Sequence, residues 1–316
     1  MMPSRFEELN LHGVRTLSIH DRKSKVAVGE FGAEPRAGMS ARALLDTVPD
    51  ILAGRDLRTL LDRMEKSLRA KREWIVMLGG HVVKTGMAPV FRPAIDSGWI
   101  TCVAMNGSAA VHDVEIALYG KTSEVVEENL ADGSFGMVRE TSDFLNESAR
   151  HAQEKGEGFG ERLGRDLLAA NPPHARQSFL AACAERGIPA TVHVALGTDI
   201  VHQHPTARGD SIGDATLRDF RVLAARVARL QEGAIWNVGS AVLMPEVFLK
   251  ALTVARNLGH EVGSFSAVNF DMIRQYRPMV NVVDRPTRDT GWGTHFCGQH
   301  EILLPFVVGA IFDRMS

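Results

Sequence analysis

The stretch WITCVAMNGSAAVHD, Trp99 to Asp113, changes from one periodicity to another partway along. WITCVAM (99–105) is a continuous apolar run of the length of a buried strand. Asn106-Gly107-Ser108 punctuates it, and apolar residues then resume at helical spacing over Ala109–Leu118. A strand that passes through a glycine-bearing turn straight into a helix reads as part of a parallel sheet, since parallel neighbours need a crossover. The same grammar recurs along the chain. WIVML (74–78) runs into GGHVVKTG (79–86), IPATVHVAL (188–196) into GTDIVHQHP (197–205), and GAIWNVG (233–239) into GSAVLMPE (239–246). FSAVNF (265–270) and VNVV (280–283) complete the strand candidates. Helical rhythm fills 39–72, 87–97, 134–155, 175–186, 214–230 and 245–258.

Alternation of this kind predicts an α/β fold: a doubly wound, mostly parallel Rossmann-like sheet with helices on both faces. No repeat, low-complexity tract or linker divides the chain, so residues 1–316 read as one α/β domain. Residues 1–40, broken by Gly29, Gly32, Pro35 and Gly38, read as an irregular N-terminal extension. Composition narrows the function class. Hydrophobic residues make up 45% and the formal net charge is −2, which gives a sizeable core and no electrostatic footprint for nucleic acid. No apolar run approaches the ~20 residues of a membrane span, and the amino terminus lacks the apolar core of a signal peptide. The expectation is a cytoplasmic protein with neither nucleic-acid nor membrane partners. Cys102, Cys183 and Cys297 are widely spaced, which argues against a disulfide framework or a zinc ribbon.

Ligands of open parallel sheets bind beyond the carboxyl ends of the strands, so those turns are where chemistry is expected. Three of the four turns begin with glycine next to a small residue, or with Asn-Gly-Ser, and run into a helix. Such turns present backbone N–H groups to a phosphate or carboxylate. None matches the GxGxxG or P-loop fingerprint. The turn after 188–196 is the most heavily functionalised: Asp199, His202 and His204 follow closely on His193.

The ordered blocks resemble the deoxyhypusine synthase family from about Lys71 to the carboxyl terminus. Gly80-His81 leading to Thr85-Gly86 stands at the family's serine-asparagine turn, and Gly107-Ser108-Ala109-Ala110-Val111-His112-Asp113 resembles its Thr-Ala-Gly-Gly-Val-Glu-Glu block. Ile188-Pro189 with Gly197-Thr198-Asp199, Gly239-Ser240-Ala241, Asn269-Phe270-Asp271 and the terminal LLPFVVGAIF (303–312) follow in the family's order. The resemblance implies an NAD-binding fold, a homotetramer with sites at subunit interfaces, and chemistry on polyamines. It places Gly80, Thr85, Asn106, Gly107, Ser108, Asp199, Gly239, Ser240 and Asn269 around NAD, with Asp113 at an acidic position beside the reaction centre.

The departures point to a different reaction. The family's Ser-Trp-Gly-Lys block is matched here by Gly291-Trp292-Gly293-Thr294, and a threonine cannot form an imine. The family's catalytic histidine falls at Met244, and a substrate-binding aspartate falls near His204. New polar groups stand nearby. Asp113, His202, His204 and His295 are the candidate catalytic groups, and Lys84, His112 and Trp292 the candidate substrate contacts. The reading is an NAD-dependent enzyme acting on a small amine-bearing molecule, by transfer or oxidation, without a lysine imine. Two alternatives stay open: a metal-dependent enzyme using a His202/His204/His295/His300 cluster, and a catalytically inactive nucleotide-binding oligomer. No metal is assigned on the first reading.

Overall fold

Six short apolar runs form the strands of the computed structural model, which describes residues 5–316. They are β1 (Trp74–Leu78), β2 (Cys102–Asn106), β3 (Ala190–His193), β4 (Ala234–Val238), β5 (Ser266–Asp271) and β6 (Trp292–Cys297). All pair in parallel, in the order β3-β2-β1-β4-β5-β6. Central strands sandwiched between helix layers have no polar face, which is why β1 and β4 are buried at every residue. The sheet is all-parallel and doubly wound. Its direction of winding reverses between β1 and β4, and the crevice at such a reversal is where ligands of these sheets bind.

The chain forms two compact units, one ending at Arg55 and the other running from Asp56 to Ser316. The sheet belongs to the second. Among the described residues of the first, Val28–Glu30 makes a 3-10 turn, and Ser40 starts the helix Ala41–Asp46 by accepting the Ala43 N–H at 3.2 Å.

Each face of the sheet has its own core. On one, Trp74, Trp236, Phe270 and Phe296 make a chain of ring contacts, with centroids 4.8, 4.8 and 5.4 Å apart. On the other, Ile75, Met77, Ala104, Ile235 and Ala267 pack against Leu223, Met244, Phe248 and Leu252 from two crossover helices, Gly209–Val227 and Leu243–Asn257. Met244, at the place of the family's histidine, is thus a fully buried core residue.

One predicted strand is not a strand. VNVV (280–283) lies in a wide π-type helical turn, Met279–Asp284, with Pro278 before it and Pro286 after it. Four residues, three of them valine, are too few for a period that distinguishes a strand from a buried helical turn. The sixth strand is instead Trp292–Cys297, with Gly293 inside it and Gly291 just before it. Those glycines mark close packing. A Cβ on Gly293 would lie 2.4 Å from the Val283 carbonyl oxygen, and one on Gly291 would lie 2.8 Å from Thr287 Cβ. Sequence reading also passed over the helices Val126–Asp132 and Phe159–Ala169, and over the short helix Gly80–Lys84, which Gly86 (φ 76°) follows.

Candidate functional site

Two cavities open at the carboxyl ends of the strands. A polar one of about 270 Å³ is lined by Lys84, Ser108, His112, Glu115, Glu124 and Asp199. An apolar one of about 750 Å³ lies beside His193, Leu217, Phe220 and Leu243. Thr198 lines both, so the loop after β3 is their common wall.

Asp199 is the dominant charge of this loop. Its carboxylate lies over the end of β2, so close to Gly107 that a Cβ there would be 1.9 Å from Oδ2. Only glycine fits beneath it. The side chain is 8% exposed, and burial pushes its carboxyl up to about 6. His202 shapes the loop around this acid. Its Nδ1 accepts the N–H groups of Gly197 and Asp199, both at 3.2 Å, and its Nε2 stands 3.9 Å from Asp199 Oδ2. Burial also lowers the His202 pKa. His204 Nε2 donates to the Gly136 carbonyl at 3.0 Å, and Gln203 Nε2 donates to Phe135 O at 3.0 Å. One ring nitrogen of each histidine, His202 Nδ1 and His204 Nε2, is therefore bonded to backbone. Their work is to fix the loop that carries Asp199. His193 is buried against Thr191 Oγ1 at 3.0 Å and is pushed down to about 3 by burial.

Lys84, Ser108, His112 and Asp199 converge, as expected of a site. Asn106 supports them by capping the helix Gly107–Tyr119, its Oδ1 accepting the Ala109 N–H at 2.9 Å. His112 is held down to about 4, chiefly by burial and secondarily by the Lys84 ammonium. Two residues that sequence reading missed, Glu115 and Thr122, bond to it or to its partner. Glu115 lies three residues beyond His112 on the same helix, a spacing that hints at a shared face. Nothing in the pattern marked Thr122.

Other candidates have intramolecular tasks. Gly80 lets its helix approach Ser108, whose Oγ would be 2.4 Å from a Cβ. Thr85 Oγ1 donates to the carbonyls of His81 and Val82 at 3.1 and 3.2 Å, ending that helix. Gly239 (φ 65°) makes room for Val82 and His300, and Ser240 Oγ accepts the Met244 N–H at 3.2 Å. Trp292 begins β6, at the amino end of the strand, where Arg63 stands 5.8 Å from its ring. It is on the wrong edge of the sheet to touch a substrate at the carboxyl ends.

A second polar array crosses β4, β5 and β6 at matched register. Asn237 Nδ2 donates to Ser240 O (2.9 Å) and to Asn269 Oδ1 (2.7 Å), and Asn269 Nδ2 donates to His295 Nδ1 at 2.9 Å. Among the described residues, Asn237 Oδ1 and His295 Nε2 are buried without a partner. This array keeps His295 near the strand ends, away from the loop histidines. The proposed four-histidine metal shell is not assembled, because β3 and β6 are opposite edges about 24 Å apart at ~4.8 Å per strand. His300 instead bonds the Phe270 carbonyl through Nε2 at 3.2 Å. Among the described residues no group of three or more His, Cys, Asp or Glu is placed to hold a metal.

Asp113 also leaves the catalytic set. It is fully buried and accepts Ser178 Oγ at 2.5 Å, Phe179 N–H at 2.8 Å and Leu180 N–H at 3.0 Å, anchoring the start of the helix Phe179–Arg186. Burial pushes its carboxyl up to about 6, against the pull of those three donors. Asp113→Ala would strand three buried donors, so a stability loss of about 3–5 kcal/mol is expected. Urea unfolding measures it. A variant of unchanged midpoint but lost turnover would return Asp113 to catalysis.

No protein-family model and no curated protein matches the chain. Solved structures match it in fold. A protein of Entamoeba histolytica provisionally named a deoxyhypusine synthase gives a TM-score of 0.52 at 12% identity, covering 89% of this chain and 96% of its own. A conserved protein of Methanococcus maripaludis S2, provisionally named LOR/SDH, gives 0.51 at 13% identity, covering 88% and 71%. AgrE, solved as a ternary complex with ornithine and NAD+, gives 0.51 at 12% identity, covering 83% of this chain and 32% of AgrE. The chain thus spans about a third of the length of AgrE. The architecture is deoxyhypusine-synthase-like, as the ordered sequence blocks implied.

Proposed function

We propose that this deoxyhypusine-synthase-like fold serves here as an NAD-dependent enzyme acting on a small amine-bearing molecule, by transfer or oxidation, without a lysine imine. The observation that carries the proposal is Asp199 over Gly107. In doubly wound sheets an acidic residue near the end of the second strand accepts the ribose hydroxyls of NAD. Asp199, from the loop after β3, lies over that strand end and lines the polar cavity, which supports this reading. AgrE, which shares the fold, binds ornithine and NAD+ together, in line with an amine substrate beside this cofactor.

The residues fit the cofactor unevenly. Asp199 suits a ribose, and Lys84 suits a phosphate or a substrate carboxylate. The glycines at 79, 80 and 239 are filled by the protein itself, so they give no cradle for a pyrophosphate. Bound NAD would supply a hydride acceptor. This chain's residues would bind it, orient it and move protons. A homotetramer with sites at subunit interfaces belongs to the same proposal, and molar mass in solution, read by light scattering, checks it.

NAD is expected to raise the melting temperature, because a ligand that binds only the native state stabilises it, by about 2.7 kcal/mol at 100 Kd. NADP should do less, since its 2′-phosphate would meet the Asp199 carboxylate. An unchanged melting curve with both NAD and NADH removes the assignment. A shift without turnover of any amine favours the inactive nucleotide-binding oligomer.

A further inference from the structure

His112 Nδ1 lies 2.7 Å from the Thr122 hydroxyl. That hydroxyl is bonded to Glu115 Oε2, and Thr141 Oγ1 donates to Glu115 Oε1 at 2.9 Å. The direction of the chain follows from donor arithmetic. An ionised carboxylate only accepts, so the single Thr122 hydrogen goes to Glu115, and the Thr122 oxygen accepts from His112 Nδ1–H. The imidazole is thereby fixed as the Nδ1–H tautomer. Its Nε2 carries the lone pair and has no protein partner among the described residues, while the ring lines the polar cavity with Lys84, Ser108 and Asp199.

From this geometry we infer that His112 is the proton acceptor of the polar cavity, with Thr122 and Glu115 as its positioning residues, and that the group it deprotonates is a substrate ammonium. The inference rests on the function proposed above and names its acid–base group. In the step, an N–H bond of the ammonium breaks, its electron pair stays on the substrate nitrogen, and the proton binds Nε2. The imidazolium formed keeps its Nδ1–H on Thr122, with the Glu115 carboxylate behind it. Burial and Lys84 keep the free ring neutral and make it a weak base. The same buried, cationic surroundings disfavour a substrate ammonium as well, which lowers its pKa toward that of the ring. The charged and titratable groups facing it are Lys84 on the helix Gly80–Lys84, Glu115 on its own helix, and Glu124 and Asp199 on the loops. Because the proton comes from a cation already inside the cavity, the transfer leaves the cavity's net charge unchanged.

Nitrogen-15 NMR of the imidazoles in the full chain tests the relay, and NAD reduction with a panel of primary amines tests the chemistry. Wild-type His112 should show the Nδ1–H tautomer alone. Thr122→Val and Glu115→Gln should mix the tautomers, and Thr122→Ser should restore the single form. His112→Gln should lose about 100-fold or more in kcat while keeping the NAD melting shift, and Thr122→Val should lose less. An Nε2–H tautomer in the wild type, a tautomer indifferent to Thr122→Val, or full kcat in His112→Gln overturns the inference and leaves the proposed function standing. If no amine reduces NAD on the wild-type protein, the proposed function fails and the inference falls with it, whatever the tautomer.

Discussion

Asp199→Asn is expected to make the protein more stable and a worse binder of NAD. Burial raises the Asp199 carboxyl from 3.8 to about 6 in the folded chain. Its carboxylate form is therefore disfavoured by folding, and the penalty is complete above the folded value, about 6, and absent below the unfolded value, near 4. A difference of that size corresponds to roughly 3 kcal/mol at neutral or higher pH. Asparagine keeps the shape without the charge, and burying a neutral amide costs less than burying an anion. Melting temperatures should thus separate by roughly 4–6 °C at pH near 8. The gap should close as the pH falls through 6 toward 4, because the wild-type carboxylate becomes neutral there. Calorimetry across pH reads both trends. In the same samples the NAD-induced shift should shrink, since an amide accepts a ribose hydroxyl more weakly than a carboxylate does. A destabilised Asp199→Asn protein, or a gap that widens toward acid, would sink the assignment.

Asp199 was legible in the sequence and His112 only partly so, for a physical reason. The loop GTDIVHQHP announces itself because ionisable residues are dense directly after an apolar strand. Density does not reveal which ring nitrogen meets which backbone group, so the reading of His202 and His204 as catalytic could not foresee that His202 Nδ1 and His204 Nε2 are bonded to backbone. His112 read as a substrate contact. Its positioning by Thr122 is set by where the chain returns after Gly120 (φ 67°), which no local pattern encodes. The fold was legible wherever periodicity and turn chemistry agreed, as in β1, β2 and β4. It failed at the β6 edge. There VNVV lacked a period, and the glycines of GWGTHFC signalled close approach to Val283 and Thr287 in place of a loop. The family resemblance put Trp292 and Thr294 near the chemistry; as residues of the first half of β6 they lie away from its carboxyl edge.

Incubation with spermidine and NAD, followed by borohydride, is expected to leave no adduct on the protein, and the family's translation-factor substrate should go unmodified. An imine needs a primary amine, and the residue that stands where the family's lysine would stand is Thr294. The structure adds a second obstacle. Thr294 is 6% exposed, paired with Val268 within the sheet, and lies three residues before the end of β6, about 10 Å from the carboxyl edge. Even a lysine at 294 would have to start from inside the sheet. Met244, at the position of the family's histidine, is locked in the core and moves no proton. Introducing the deoxyhypusine synthase residues one at a time, Thr294→Lys or Met244→His, should therefore yield a destabilised protein and no transferase. The lysine that lines the polar cavity is Lys84. It shares that cavity with His112, and a charged ammonium there opposes protonation of the ring, so its placement suits holding an anionic group. Peptide mapping after reduction decides between these roles. A reduced spermidine-derived mass on Lys84 would mean that the covalent route survives with its nucleophile moved from β6 to the helix after β1. An unmodified Lys84 leaves proton transfer and cofactor binding as the chemistry that these strand ends can support.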